Sequence, residues 1–227
     1  LEGIPCSIHG FVTHGGVAVF APLELFILRE RHRPAFVYAQ GASFWNPPER
    51  ITSDMRHAAR AVGHFLRDRY GYLGGFGIDG VATGDGFRPT ELNPRMTLGH
   101  YVHGRVAEIP LGPAERLLLE GDIELDAAEI EDHVMSRIAV SRGGGMAFFP
   151  MGDHEPASVM VAFANDGVAI TDDEDAADAR MSLGPAAAGS IVMVDLDPKR
   201  VPIGPPLGPR AADLMALARD HWDLDLP

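Results

Sequence analysis

Residues 74–95, GGFGIDGVATGDGFRPTELNPR, form two β-like runs around Gly84-Asp85-Gly86, and the first run and the second each carry acid. With Asp85 at the centre of the turn and no bulge in the strands, Asp79 and Glu91 face each other directly. Like charges opposed across two strands destabilise a sheet. Their Gly, Ile, Leu and Pro neighbours would hydrate them poorly. Two remedies exist: one carboxyl holds a proton, or a cation sits between them. Asn93 lies two residues beyond Glu91 and so shares its face. Two carboxylates and an amide oxygen are hard donors that suit Mg²⁺, an ion that keeps waters or phosphate oxygens in its octahedron. Arg95 adds a fixed cation able to pair with Glu91 or clamp a phosphate. The plainer alternative is a hairpin with one wet face, on which these residues are merely solvated.

Around this hairpin the chain alternates strand and helix signals. Residues 4–13 and 17–28 are apolar and β-like, joined at His14-Gly15-Gly16 as a hairpin. Residues 31–50, with Pro34, Gly41, Pro47 and Pro48, read as an ordered loop holding one short extended run. A helix is expected over 53–70, capped by Thr52 or Ser53, with Ala58, Val62, Phe65 and Leu66 inward and Arg56, Arg60, Arg67 and Asp68 outward. Residues 97–108 and 113–133 read as helical, the latter broken at Gly121-Asp122. From 134 onward VMSRIAV, MAFFPM, ASVMVAFA, VAIT and SIVMVDL read as short strands, with turns at 143–145 and at Asn165-Asp166-Gly167. The acidic 172–180 run reads as a solvated turn-to-helix segment, and a last helix spans 208–222. The expected class is α+β with largely antiparallel strands, divided near residue 109.

Composition narrows the function. The 227 residues carry a net charge of −13, which disfavours sequence-independent nucleic-acid binding. No apolar run reaches the roughly 18–20 residues of a membrane helix. A single cysteine, Cys6, excludes an internal disulfide and fits a reducing, cytoplasmic setting. It reads as a buried inert thiol rather than a nucleophile. Only one of the 19 basic residues is lysine, Lys199.

The segments GIDG and ELNPRMTLGH resemble the metal-binding hairpin of the ATP-grasp superfamily, which includes carboxylate–amine ligases and biotin-dependent carboxylases. The resemblance covers residues 1–108 and is most specific over 77–95. It implies that Asp79, Glu91 and Asn93 hold Mg²⁺ (or Mn²⁺) against the phosphates of ATP, and that Arg95 reaches phosphate or the activated substrate. It implies that Glu2, at the hinge position, contacts the ribose or base edge; a solvated terminal glutamate is the equal alternative. Residues 1–108 would be the C-terminal subdomain of an ATP-grasp module, and 109–227 an appended α+β domain that completes a substrate pocket or a homodimer interface. The implied activity is that of an ATP- and Mg²⁺-dependent ligase, which activates a small carboxylate such as an amino acid as an acylphosphate for attack by an amine. The phosphate-gripping lysines and glycine-rich flap of the family do not occur upstream of the hairpin. The chain is therefore expected to be the C-terminal part of a larger enzyme, inactive without its N-terminal part. The alternative is a non-catalytic binding or scaffolding module.

Weaker signals remain. His100 and His103 could line a substrate pocket, bind a metal, or present a polar helix face. Arg105 is a candidate for a substrate carboxylate. Ser141-Arg142-Gly143-Gly144-Gly145 could cradle an anion or simply turn between strands. Ser7 and His9 share a polar strand face, and Trp45 reads as a packed aromatic or a loop near substrate.

Overall fold

The computed structural model describes residues 1–30, 35–165, 167–187 and 189–226. Among the described residues eleven antiparallel strands form one sheet: β1 (Ile4–Val12), β2 (Val17–Val19), β3 (Leu23–Arg29), β4 (Phe36–Ala42), β5 (Gly74–Thr83), β6 (Gly86–Asn93), β7 (Gly144–Phe148), β8 (Ala157–Ala164), β9 (Gly167–Thr171), β10 (Ala179–Ala186) and β11 (Gly189–Leu196). Their order is β6-β5-β1-β3-β4-β7-β11-β10-β8-β9, and β2 pairs beside β1. The helices are α1 (Glu49–Tyr70), α2 (Leu98–Ala107), α3 (Leu111–Glu120), α4 (Ala127–Val140) and α5 (Gly208–Trp222). The α+β class and antiparallel pairing expected from the sequence are what the chain adopts. The β4–β7 pairing carries the sheet across residue 109. No described helix is long and apolar enough to cross a membrane.

Strand β1 organises the first half. Its even positions, Cys6 and Ile8, pack under the Ile51, Met55, Ala59 and Leu66 stripe of α1. Its odd positions face the other way. There Phe11 packs with Phe20 beneath α2–α4, whose Ala107, Leu118, Val134 and Ile138 close that core. The helices cover only the C-terminal half of this face, and the N-terminal half lies open as a cleft. A third core joins β3, β4 and the last five strands to α5, with Phe26, Phe44, Phe148, Val161 and Leu214 buried.

Several elements differ from expectation. Helix α1 starts a turn early, behind Pro48 and with no side-chain cap from Thr52 or Ser53. Leu66 is buried as expected and Ala58 and Val62 pack partly buried against the same core, while Phe65 is exposed and Met55, Ala59 and Gly63 complete the buried stripe. VMSRIAV is the end of α4, because Val134 and Ile138 sit one turn apart on its buried side. The short extended run expected within 31–50 is a full strand over residues 36–42; Pro34 and Asp166 fall outside the described residues. Within the acidic run, Asp178 is buried and accepts from the Phe163 N–H at 2.6 Å.

Two distant carboxylates fasten these layers. Glu24 on β3 is buried and accepts from the N–H groups of Leu207 and Gly208 at 2.7 and 2.8 Å, capping α5 where its own sequence supplies no cap. Glu131 on α4 seals the unpaired edge of β2. It accepts from the Val19 N–H at 2.8 Å, while Arg56 and Arg60 of α1 donate to the Val19 and Val17 carbonyls at 2.7 and 2.6 Å. The same guanidinium groups bind Glu131 at 2.6 and 2.7 Å, so these arginines are not simply the solvated side of α1. Burial alone would raise the pKa of Glu131. The Arg60 hydrogen bond, the Val19 N–H and both guanidinium charges outweigh burial and hold it below the ordinary carboxylate range. The network's stabilisation is therefore complete above pH 4.5 and fades as pH falls through the depressed pKa. Glu131→Ala should cost about 2–3 kcal/mol in urea unfolding at pH 7, because it strands two partly buried cations. The difference from wild type should shrink as the pH is lowered below 4.5.

Candidate active site

The β5–β6 hairpin turns through two residues, Gly84-Asp85, one half-position earlier than the sequence suggests. From Thr83↔Gly86 to Gly80↔Pro89 the register follows that turn. Thr90 then bulges out, and its hydroxyl donates to the Asp79 carbonyl at 3.2 Å. The bulge advances the register by one, so Asp79 pairs with Glu91 and Gly77 with Asn93. The expected opposition of acids is present, reached through two offsets that cancel.

Across the next ladder Asp79 pairs with Ser7 of β1. Ser7, Asp79 and Glu91 therefore form one row over three strands. Asn93 is buried and donates its Nδ2–H to Asp79 Oδ2 at 3.1 Å. Its Oδ1 accepts from Arg95 at 3.3 Å. Burial raises the pKa of Asp79; the Glu91 charge raises it further, while Ser7, Arg95 and Asn93 work against both. The sheet therefore holds a carboxylate that is poorly solvated and faces another negative charge.

Asp79, Glu91, Asn93 and Arg95 line one end of a cleft of about 730 Å³, and Leu23, Leu25, Ile27, Phe36 and Tyr38 of β3 and β4 line the rest. Burial, with the Asp79 charge behind it, pushes the Tyr38 hydroxyl up to about 12. Phe36 and Tyr38 belong to the short extended run expected within 31–50, and their alternation with Val37 and Ala39 is the signal that places them on one face. Glu2 is exposed and is not among the residues that line the cleft. Lys199 is exposed on the other half of the chain and also lies outside it.

Behind the acidic row lie three buried histidines, of which His9 lines the cleft. His9 of β1 approaches His100 and His103 of α2 with ring centroids 5.2 and 5.7 Å apart. Gly99 makes this contact feasible, since a Cβ there would lie 2.0 Å from the His9 ring. Thr97 N–H donates to His100 Nδ1 at 3.1 Å, so the proton sits on Nε2 and is given to the Gly10 carbonyl at 3.0 Å. Burial depresses all three imidazoles, His100 to about 4 and His103 to about 3. His100 and His103 thus form neutral core rather than a polar helix face. His9 Nε2 lies 3.1 Å from Ser7 Oγ, which ties this core to the acidic row. Cys6 is an inert thiol, with burial pushing it up to about 12. Trp45 is packed in the α1 core.

Among the described residues no cluster of three or more His, Cys, Asp or Glu is spaced to hold a metal. A cation at the row would have Asp79 and Glu91 as its charged ligands and Asn93 as a neutral one. That donor set fits Mg²⁺ or Mn²⁺, which accept few protein oxygens and complete their shell with water or phosphate.

No protein-family model and no curated protein sequence matches the chain. Solved structures do. The biotin carboxylase domain of a single-chain bacterial carboxylase aligns at a TM-score of 0.51, with 14% identity over 86% of this chain and 43% of that one. Biotin carboxylase from Campylobacter jejuni, solved as a β,γ-ATP complex, aligns at 0.51, with 12% identity over 87% and 42%. N5-carboxyaminoimidazole synthase from Aspergillus clavatus aligns at 0.49, with 12% identity over 86% and 46%. The chain shares the fold of these two biotin carboxylase structures, and it spans less than half the length of each of the three structures.

The desolvated acid has a measurable cost. Folding raises the Asp79 pKa, so its ionisation removes stability as pH climbs from the unfolded value through the folded one. In EDTA at pH 7, Asp79→Asn should stabilise the chain by about 0.5 kcal/mol, the scale of a relieved cross-strand repulsion. The gain should vanish at about pH 3, where the carboxyl is neutral in both states.

Proposed function

We propose that this chain carries the divalent-cation half of the active site of an ATP-dependent carboxylate–amine ligase. The observation that supports this most is the Asp79–Glu91 pair with Asn93 and Arg95, set at the end of an apolar-walled cleft. Asp79, Glu91 and Asn93 would hold Mg²⁺ or Mn²⁺, and ATP would lie along the cleft with its phosphates at the acidic row. The bound cation would neutralise charge on the transferring phosphoryl group. Ser7 and the Asn93 amide orient the Asp79 carboxylate. Arg95, tethered to Asn93, would stabilise negative charge developing on a small carboxylate as it becomes an acylphosphate, ready for attack by an amine. The buried histidines stay neutral and serve as a rigid wall that keeps water from the back of the row.

In this reading residues 1–108 belong to the nucleotide-binding module and 109–227 to an appended domain. The cations that grip the phosphates would come from sequence outside the chain, since Lys199 lies away from the cleft. The same lysine shortage favours the second reading, a scaffold that keeps the fold and binds a cation without turnover.

Glu91→Gln separates the two. In the full-length enzyme, with pooled amino acids, ATP turnover should drop at least about 100-fold, because the cation contributes several kcal/mol to the transition state. Unchanged turnover would remove the metal assignment. Absence of turnover in the wild-type protein, alongside Mn²⁺ binding that Glu91→Gln abolishes, would select the scaffold.

A further inference from the structure

A second cavity, of about 360 Å³, lies along α2 from the cleft, and Leu98 belongs to the wall of both. Leu98, Tyr101 and Arg105 recur on one side of α2 and form one wall. The floor is the β4–β7 seam, where Gly41 pairs with Gly145 and Ala42 with Gly144. A Cβ on Gly145 would lie 2.1 Å from the Val194 carbonyl, and one on Gly144 2.5 Å from Ala42. Close packing explains these glycines, and it leaves the floor bare of side chains.

Three arginines enter this space. Arg137 is paired with Glu108 at 3.1 Å, and Arg105 lies 3.7 Å from Asp195. Arg142, at the exit of α4, has no ion-pair or hydrogen-bond partner among the described residues, and its Nε is buried and unmatched. The neighbouring His103 is neutral and offers no countercharge. Burial without compensation lowers the Arg142 pKa. A half-buried guanidinium with nothing to bind is costly, and its fork matches a carboxylate in two parallel hydrogen bonds. Two acids already face the cavity, so a single spare positive charge suits a monoanion better than a phosphate dianion. Tyr101 and Met193 supply apolar surface for an organic body, with the buried Met146 directly beneath.

We propose that Arg142 and this cavity bind the carboxylate of a small organic monoanion. That this anion is a substrate of the ligase, held by a carboxylate other than the one activated, rests on the reading of the cleft given above; the binding site itself does not.

The test uses the chain with ¹³C-methyl methionine and 4-methylpentanoate as the probe. The Met146 and Met193 methyl signals should shift saturably at millimolar probe. The uncharged 4-methylpentanamide should leave them unmoved, and inorganic phosphate should not compete. Arg142→Met should weaken binding at least about tenfold, the scale of a lost charged hydrogen bond. Glu91→Gln should bind the probe as wild type does, which separates failure of this site from failure of the metal row. Equal shifts with the amide, equal affinity in Arg142→Met, competition by phosphate, or no methyl shift up to about 20 mM probe would each overturn the proposal. The acid-versus-amide comparison needs no variant, so it decides even if Arg142→Met does not fold.

Discussion

The ladder between β1 and β5 runs unbroken from Ile4↔Ala82 to Val12↔Gly74, and the cleft exists because of its register. Side chains alternate with a period of two, so a one-residue slip would turn Asp79 into the α1 core and Ile78 into the cleft. Burial on both faces forbids that slip. Cys6 and Ile8 are locked under α1, while Phe11 is locked under α2–α4. The same constraint lines up Ser7, Asp79 and Glu91, then lets the Thr90 bulge adjust the outer strand alone. A row of oxygens that the sheet would otherwise reject is positioned by hydrophobic packing on either side of it.

That row is where local rules are broken. Opposed acids, a half-desolvated aspartate, and buried imidazoles with the unmatched His9 Nδ1 all lie within one corner of the cleft. Glu131, by contrast, matches the edge of β2 from a distance, and beyond this corner the buried unmatched side-chain atoms among the described residues are Arg137 Nε and Arg142 Nε. A concentration of local conflicts at one corner of the cleft is what a binding or catalytic site produces. The cleft's apolar wall on β3 and β4 and its charged end on β5 and β6 come from strands that share only β1 between them.

Much of this was legible in the chain. Apolar runs located β1 and β8, the single run over 17–28 covers what are two strands, β2 and β3, and the spacing of Asp79, Glu91 and Asn93 identified their shared face. The route to that face was imperfect, because neither the early turn nor the Thr90 bulge leaves a mark in residue types. VMSRIAV was misread because a short apolar run suits a strand and a buried helix end equally. Strand β10 was missed since Ala179, Met181 and Leu183 alternate just after an acidic run and before Gly184-Pro185. The inward turn of His100 and His103 depends on Gly99 letting α2 approach His9, a tertiary contact that helical period alone does not encode. Arg142 stood out in sequence only through its glycines, which prove to serve the sheet. Its isolation is visible only once every acid nearby has found a different partner.

Glu24 joins the two halves of the molecule through α5, and it does so as a group with divided chemistry. Burial lifts its pKa from 4.5 to about 7, more than the Leu207 and Gly208 N–H groups can offset. The unfolded chain holds this carboxyl ionised at neutrality, whereas the folded chain holds it partly protonated. Folding near pH 7 is then also a proton-uptake reaction, and the heat of folding includes the heat with which the surrounding buffer gives up that proton. The clasp on α5 thereby couples the chain's energetics to its solvent's acid–base chemistry, from the face of β3 opposite the one that lines the cleft.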